Sequence, residues 1–217
     1  NSKRSMYYRI NFLLFFVLSV SFAQENSILK DTIELDEVLV KATRVDEDAP
    51  FTQSYVTKEE IEARNLGQDI PILLNFLPNV VTTSDAGNGI GYTGIRVRGS
   101  DATRVNVTIN GIPLNDSESH GTFWVNLPDF ASSTQSVQLQ RGVGSSTNGA
   151  GAFGASLSLS TNGIRDKAFA EVNFSGGSYN TFKANTQFGT GILNPEGKYK
   201  AEFAGRVSTI TSDGYID

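Results

Sequence analysis

The sequence predicts an α+β domain, a small mixed sheet with two short helices, followed by the first antiparallel strands of a transmembrane β-barrel. Three observations carry this expectation. Apolar residues recur at every second position in segments such as 105–109, 137–141 and 155–159, the period of a strand with one buried face. Helix start signals are confined to the stretch 57–78. Beyond Gly163 the alternating segments lengthen, are joined by glycine turns and carry aromatics near their ends. That is the pattern of strands with lipid on one side and polar surroundings on the other.

Composition narrows the function before any motif is read. Of 217 residues, 39% are hydrophobic, 19% are charged and 21 are glycine, which suits a turn-rich β protein. A net charge of −5 offers no basic footprint for nucleic acid. The lack of cysteine excludes disulfides, thiolate zinc sites and cysteine nucleophiles, and a single histidine, His120, excludes a multi-histidine metal site. No G-x-S-x-G elbow is present for a serine nucleophile. No enzymatic activity, resident metal or cofactor is therefore expected.

Residues 1–23 read as upstream residues and a secretory signal. Arg9 supplies positive charge, Phe12–Val20 is apolar but too short to span a bilayer, and Ser21-Phe22-Ala23 permits cleavage before Gln24. Residues 24–50 read as an extension: Thr32–Val40 mixes acids with β-branched residues and is extended by propensity, and Lys41–Pro50 reads as a linker.

Residues 51–163 form the α+β domain. Val56 ends a short strand, and Thr57 with Glu60 spells a capping box for a helix over Lys58–Arg64. Asp69 caps a second helix whose apolar face is Ile70, Leu73, Leu74 and Leu77, ended by Pro78-Asn79. Ile95–Gly99 and Val105–Ile109 alternate as strands, the second running into Asn110-Gly111, a tight-turn signal. Val137, Leu139 and Arg141 give another alternating set. Gly149–Gly154 spells GAGAFG, the spacing of a dinucleotide-binding turn, but Ala155, Leu157 and Leu159 continue as a strand where such a turn must open a helix. The run is instead assigned to turns with positive φ and to close packing.

Residues 164–217 carry three long alternating segments, Ala168–Ser175, Tyr179–Gly189 and Tyr199–Thr209, with a turn at Gly176-Gly177-Ser178. A soluble antiparallel sheet is the alternative, and export together with strand length favours a membrane wall.

These residues resemble the TonB-dependent outer-membrane receptors, and the resemblance covers nearly all of the chain after residue 23. "DEVLVKATR" at Asp36–Arg44 looks like the Ton box with its linker, and "LLNFLPNVV" at Leu73–Val81 like the helix and turn of the family's plug domain. "IRVRG" at Ile95–Gly99, "VTINGIPLND" at Val107–Asp116 and "SVQLQRGVGSSTNGAGAFGASLSLST" at Ser136–Thr161 resemble successive plug segments. "GSYNTFKAN" at Gly177–Asn185 resembles the first barrel hairpin. The resemblance implies a plug followed by the first strands of a large barrel. Because three strands cannot close a barrel, the chain is expected to be an N-terminal portion of a longer receptor.

The resemblance also implies roles. Asp36, Glu37, Val38, Leu39 and Val40 would pair with TonB as an added strand, Leu35, Val38 and Val40 being the chief side chains; the alternative is a first plug strand. Arg98 and Arg141 match arginines that family plugs direct at wall carboxylates. Gln138 and Val143 depart from the pattern around the second, and solvated strand ends are the alternative. Two apical loops, Asp85–Gly94 with Tyr92 and the run of Asn115, Asp116, Glu118, His120, Phe123 and Trp124, would face the ligand. In the alternative, Phe123 and Trp124 pack against the plug core. The implied function is TonB-coupled uptake of a ferric siderophore, haem or similar metal chelate across the outer membrane, with lipid around the barrel. A TonB-dependent importer of a glycan, vitamin or peptide, or a passive barrel or adhesin, remains open.

Overall fold

The computed structural model describes residues 44, 51–143 and 150–215. Contacts divide the chain into two units, residues 1–36 and 37–217, and every described residue belongs to the second.

The first described element is β1 (Gln53–Thr57), which leads directly into α1 (Lys58–Arg64). The capping box is present: Glu60 N–H donates to Thr57 Oγ1 while Thr57 N–H donates to the Glu60 carboxylate. The second helix is shorter than its sequence pattern. α2 spans only Ile70–Leu73, and the chain then tightens, Asn75 N donating to the Ile72 carbonyl and Leu77 N to that of Leu74. Pro78 bars a helix from continuing through Leu77, because a residue before proline is driven out of the α region. Leu74 and Leu77 remain buried.

β2 (Val80–Ser84) and β3 (Thr93–Val97) form an antiparallel pair. Strand β3 stops short of the segment predicted for it. Arg98 and Gly99 take φ of 52° and 76° and make a turn. β4 (Val105–Ile109) turns through Asn110-Gly111, φ 50° and 80°, into β5 (Ile112–Pro113), as the sequence predicts. β6 (Thr134–Arg141) and β7 (Ala155–Thr161) complete a five-stranded sheet of order β1-β6-β7-β4-β5. It is mixed, because β4 and β7 run parallel while β6 is antiparallel to both β1 and β7.

Alternation gives this sheet two faces. Val56, Val107, Val137, Leu139, Leu157 and Leu159 point into a core closed by Ile61, Ile70, Leu73, Leu74 and Trp124. Ser136, Gln138, Gln140, Ser156 and Ser158 form the other face, polar yet buried.

β8 (Phe169–Gly176), β9 (Phe182–Gly189) and β10 (Ala204–Thr211) form a separate antiparallel sheet of order β10-β9-β8. The β8–β9 turn lies later than predicted because Tyr179 and Asn180 adopt φ of 58° and 51°. β10 begins only at Ala204. Polarity is inverted relative to a soluble sheet: Lys183, Asn185 and Gln187 are buried against the plug, whereas Val172, Phe174, Phe188 and Val207 are exposed.

Candidate functional site

The seam between the plug and the three-stranded sheet centres on Asp129, a residue the sequence reading did not single out. Asp129 opens the 3-10 turn Phe130–Ser133 in a left-handed conformation, φ 52°, just ahead of β6. Its carboxylate is buried and meets two cations from the other sheet, Lys183 Nζ on β9 at 2.6 Å and Arg206 Nη1 on β10 at 2.8 Å. Ser132 Oγ and Asn185 Nδ2 donate at 2.6 and 2.8 Å, and Ser208 Oγ donates as well. Burial alone would raise the Asp129 pKa. Donation from Lys183, Ser132 and Ser208, with the Lys183 charge, outweighs it and holds the group below the usual carboxylate range. Lys183 also donates to Asn65 Oδ1 and Ser132 Oγ, both at 3.1 Å, tying the end of α1 into the cluster. The sequence carried one signal for it: Lys183, Asn185 and Gln187 alternate with Phe182 and Phe188, so one face of that strand must meet something polar.

The two predicted plug arginines lie side by side. Arg141 is buried; its Nε donates to the Pro78 carbonyl at 2.9 Å and Nη2 to Ser54 Oγ at 2.6 Å. Burial and then the neighbouring Arg98 charge lower its pKa. Arg98 Nη1 lies 3.3 Å from where a Cβ on Gly142 would stand. Among the described residues neither guanidinium has a carboxylate partner.

The 115–124 loop is organised by its own residues. Asn115 commits its whole amide to backbone: Oδ1 accepts from Val107 N at 2.7 Å, and Nδ2 donates to the carbonyls of Val105 and His120. Asp116 accepts from Glu118 N, Ser119 N and Ser119 Oγ. Donation from Ser119 lowers its pKa. Trp124 takes the alternative the sequence left open: at 3% exposure it packs in the core, on the 3-10 turn Trp124–Asn126. Phe123 beside it is 50% exposed, and Glu118 and His120 are exposed too. Tyr92 on the neighbouring loop is 64% exposed. A cavity of about 220 Å³ lies between β3, β4 and residues 119–124, lined by Thr93, Gly94, Ile95, Thr122, Phe123 and Trp124, among others.

Asp69 joins α2 to the Asp85–Gly94 loop. Its carboxylate accepts from Thr93 Oγ1 at 2.8 Å, its backbone N donates to the Gly89 carbonyl, and burial pushes its pKa up to about 6. In the glycine run, Gly154 is held by close approach: an added Cβ would stand 2.6 Å from Ser100 Cβ and 3.0 Å from the Arg104 carbonyl. Its φ is not positive, so packing alone requires glycine there. Gly149 and the predicted Ton box, Asp36–Val40, lie outside the described residues.

A mixed sheet docked through a buried ion cluster onto antiparallel strands whose outer face is apolar is the arrangement expected of a plug against the wall of a barrel. The TonB-dependent receptor plug domain model matches residues 45–156, more than half of the chain, and the chain belongs to that family. Solved receptors share the fold at low identity. The siderophore receptor PirA from Acinetobacter baumannii is 19% identical with a TM-score of 0.55, over 72% of this chain and 24% of its own. The alcaligin outer-membrane receptor FauA from Bordetella pertussis is 20% identical with a TM-score of 0.56, over 74% and 27%. The ferripyoverdine receptor of the Pseudomonas aeruginosa outer membrane, solved with ferripyoverdine, is 16% identical with a TM-score of 0.56, over 73% and 20%. This chain thus matches about a quarter of the length of these receptors. No curated protein matches it by sequence.

Proposed function

We propose that this chain serves an outer-membrane receptor that takes up a ferric siderophore, haem or similar metal chelate by TonB-coupled active transport, its plug gating the barrel. The observation that carries the reading is the plug, matched over residues 45–156 and pinned by Asp129 to the polar face of strands whose other face suits lipid. Large transporter barrels enclose a lumen that must be plugged, and a plug attached by hydrogen bonds and ion pairs can be displaced without breaking covalent structure. The solved neighbours that bind alcaligin or ferripyoverdine support a chelate cargo. Tyr92, Glu118, His120 and Phe123 supply aromatic and polar surface for it.

An outer-membrane protein has no nucleotide or ion gradient at hand, so energy arrives by contact through TonB. Residues 36–40 would offer that contact as an added strand. The test is uptake of an iron-59 chelate by cells carrying the full-length receptor with Val38→Pro, which removes a main-chain donor from the strand. Uptake should fall to background with receptor level unchanged. Native uptake by the variant would refute TonB coupling through this segment.

A further inference from the structure

Arg44 follows Val40 by four positions and lies on the polar face of the plug sheet. Around it that face is built from three neighbouring strands, Tyr55 on β1, Ser136 and Gln138 on β6, and Ser158 on β7, with Gln138 opposite both Tyr55 and Ser158. The guanidinium spans them. Nη1 donates to Ser136 Oγ at 2.8 Å, Nη2 to the carbonyls of Ser136 at 3.2 Å and Ser158 at 3.0 Å, and Nε to Ser158 Oγ at 3.4 Å. Tyr55 interacts with the same group through its side chain. A planar, permanently charged fork is the side chain suited to holding several acceptors on two strands together.

We propose that Arg44 is a force clasp: a pull on residues 36–40 meets its bonds to β6 and β7 before it reaches β1, so the clasp must open before the plug sheet can be peeled. The proposal rests on the Ton-box reading of those residues for the source of the pull. Chain order supplies the sequence of events, because Arg44 precedes Gln53 and tension from residues 36–40 passes it first. Gln53 follows Arg44 by nine positions, so at most about 30 Å of chain can extend between the clasp and β1. The two attachments also yield differently. Among the described residues β1 pairs with β6 alone, Gln53 opposite Gln140 and Thr57 opposite Ser136. Drawn from Gln53, it loses its ladder one bond at a time. The clasp is a set of charge-assisted bonds spread over two strands that must fail together, which raises the force needed.

The test is single-molecule pulling on the full-length receptor in a bilayer, with the handle on a cysteine introduced by Val38→Cys. The native clasp should give a first rupture at short extension, followed by up to about 30 Å of slack and then later ruptures. Arg44→Ala should abolish the first rupture and leave the later ones in place. Arg44→Lys should lower its force, since an ammonium lacks the fork. Ser136→Ala with Ser158→Ala should lower it without abolishing it, because both carbonyl acceptors remain. A first rupture that survives Arg44→Ala unchanged overturns the proposal, as does a native trace without one. Because the handle replaces TonB, these outcomes are independent of whether a Glu34–Thr43 peptide binds TonB. Failure of that binding would sink the Ton-box reading and leave the pulling result standing.

Discussion

Replacing Asp129 with alanine tests whether charge holds the seam. At 2.6 and 2.8 Å from Lys183 and Arg206, each pair has a gross attraction of about 6 kcal/mol at an effective dielectric of about 20. Removing three charges from water offsets most of that, so the cluster as a whole contributes little net stability. Deleting the carboxylate alone is another matter. Lys183 stays buried and charged without a counter-ion, and Ser132, Ser208 and Asn185 lose their acceptor. The expected cost is about 3–5 kcal/mol. The assay is urea unfolding of the 217-residue chain in detergent, followed through Trp124, its only tryptophan and a core residue. Asp129→Ala with Lys183→Met should recover a large part of the loss, because the stranded charge leaves with its partner. An Asp129→Ala chain within about 0.5 kcal/mol of native refutes the reasoning. So does a double variant no more stable than the single one.

The remaining predictions concern the plug. Gly154→Val forces a side chain against Ser100 and the Arg104 carbonyl and should destabilise the chain by about 1–3 kcal/mol in the same assay; a neutral effect would contradict the close approach. Trp124→Ala should cost about 3–5 kcal/mol by circular dichroism. Phe123→Ala should stay within about 0.5 kcal/mol yet weaken ferric-chelate binding by the full-length receptor. Equal stability losses at the two positions would contradict their difference in exposure. Asp69 and Asp129 have opposite pH signs. With its folded pKa raised to about 6, Asp69 contributes fully below about 3.9 and its contribution is lost as pH rises through about 6. Asp129, held below its ordinary value, contributes above about 3.9 and loses that as pH falls through its folded pKa. Asp69→Asn should flatten the unfolding midpoint between pH 4 and about 6. A slope that persists in the variant would show that another group sets it.

What the sequence made legible was local. The capping box of Thr57 and Glu60 and the Asn110-Gly111 turn involve groups within three residues of one another, so composition and spacing suffice. The length of α2 is not legible because the apolar spacing of Ile70, Leu73, Leu74 and Leu77 suits a helix and a tightened turn equally well. Arg98 and Tyr179 read as strand residues because their side-chain types do not announce a positive φ, and Asn180, whose type tolerates one, lacks the following glycine that marks Asn110-Gly111 as a turn. Trp124 was a choice between two faces of one loop, and only the packing of the core decides it. Asp129 was missed for a different reason. Its partners lie 54 and 77 positions away, where no local pattern records that an acid on one sheet will meet a lysine and an arginine on another.

The position of β7 has a consequence for how the domain comes into being. It is the last plug strand in the chain, yet it sits in the middle of the sheet, flanked by β6 and β4. Until residues 155–161 are available, β4 and β6 have no common neighbour and the core residues Leu157 and Leu159 are missing. An N-to-C emerging chain must therefore keep the earlier strands unassembled, exposed to proteases and chaperones, until a keystone arrives to join them in one step. The same keystone lies two strands in from β1, with β6 between them, so the edge nearest the N-terminus can be disturbed while the centre of the plug keeps its shape.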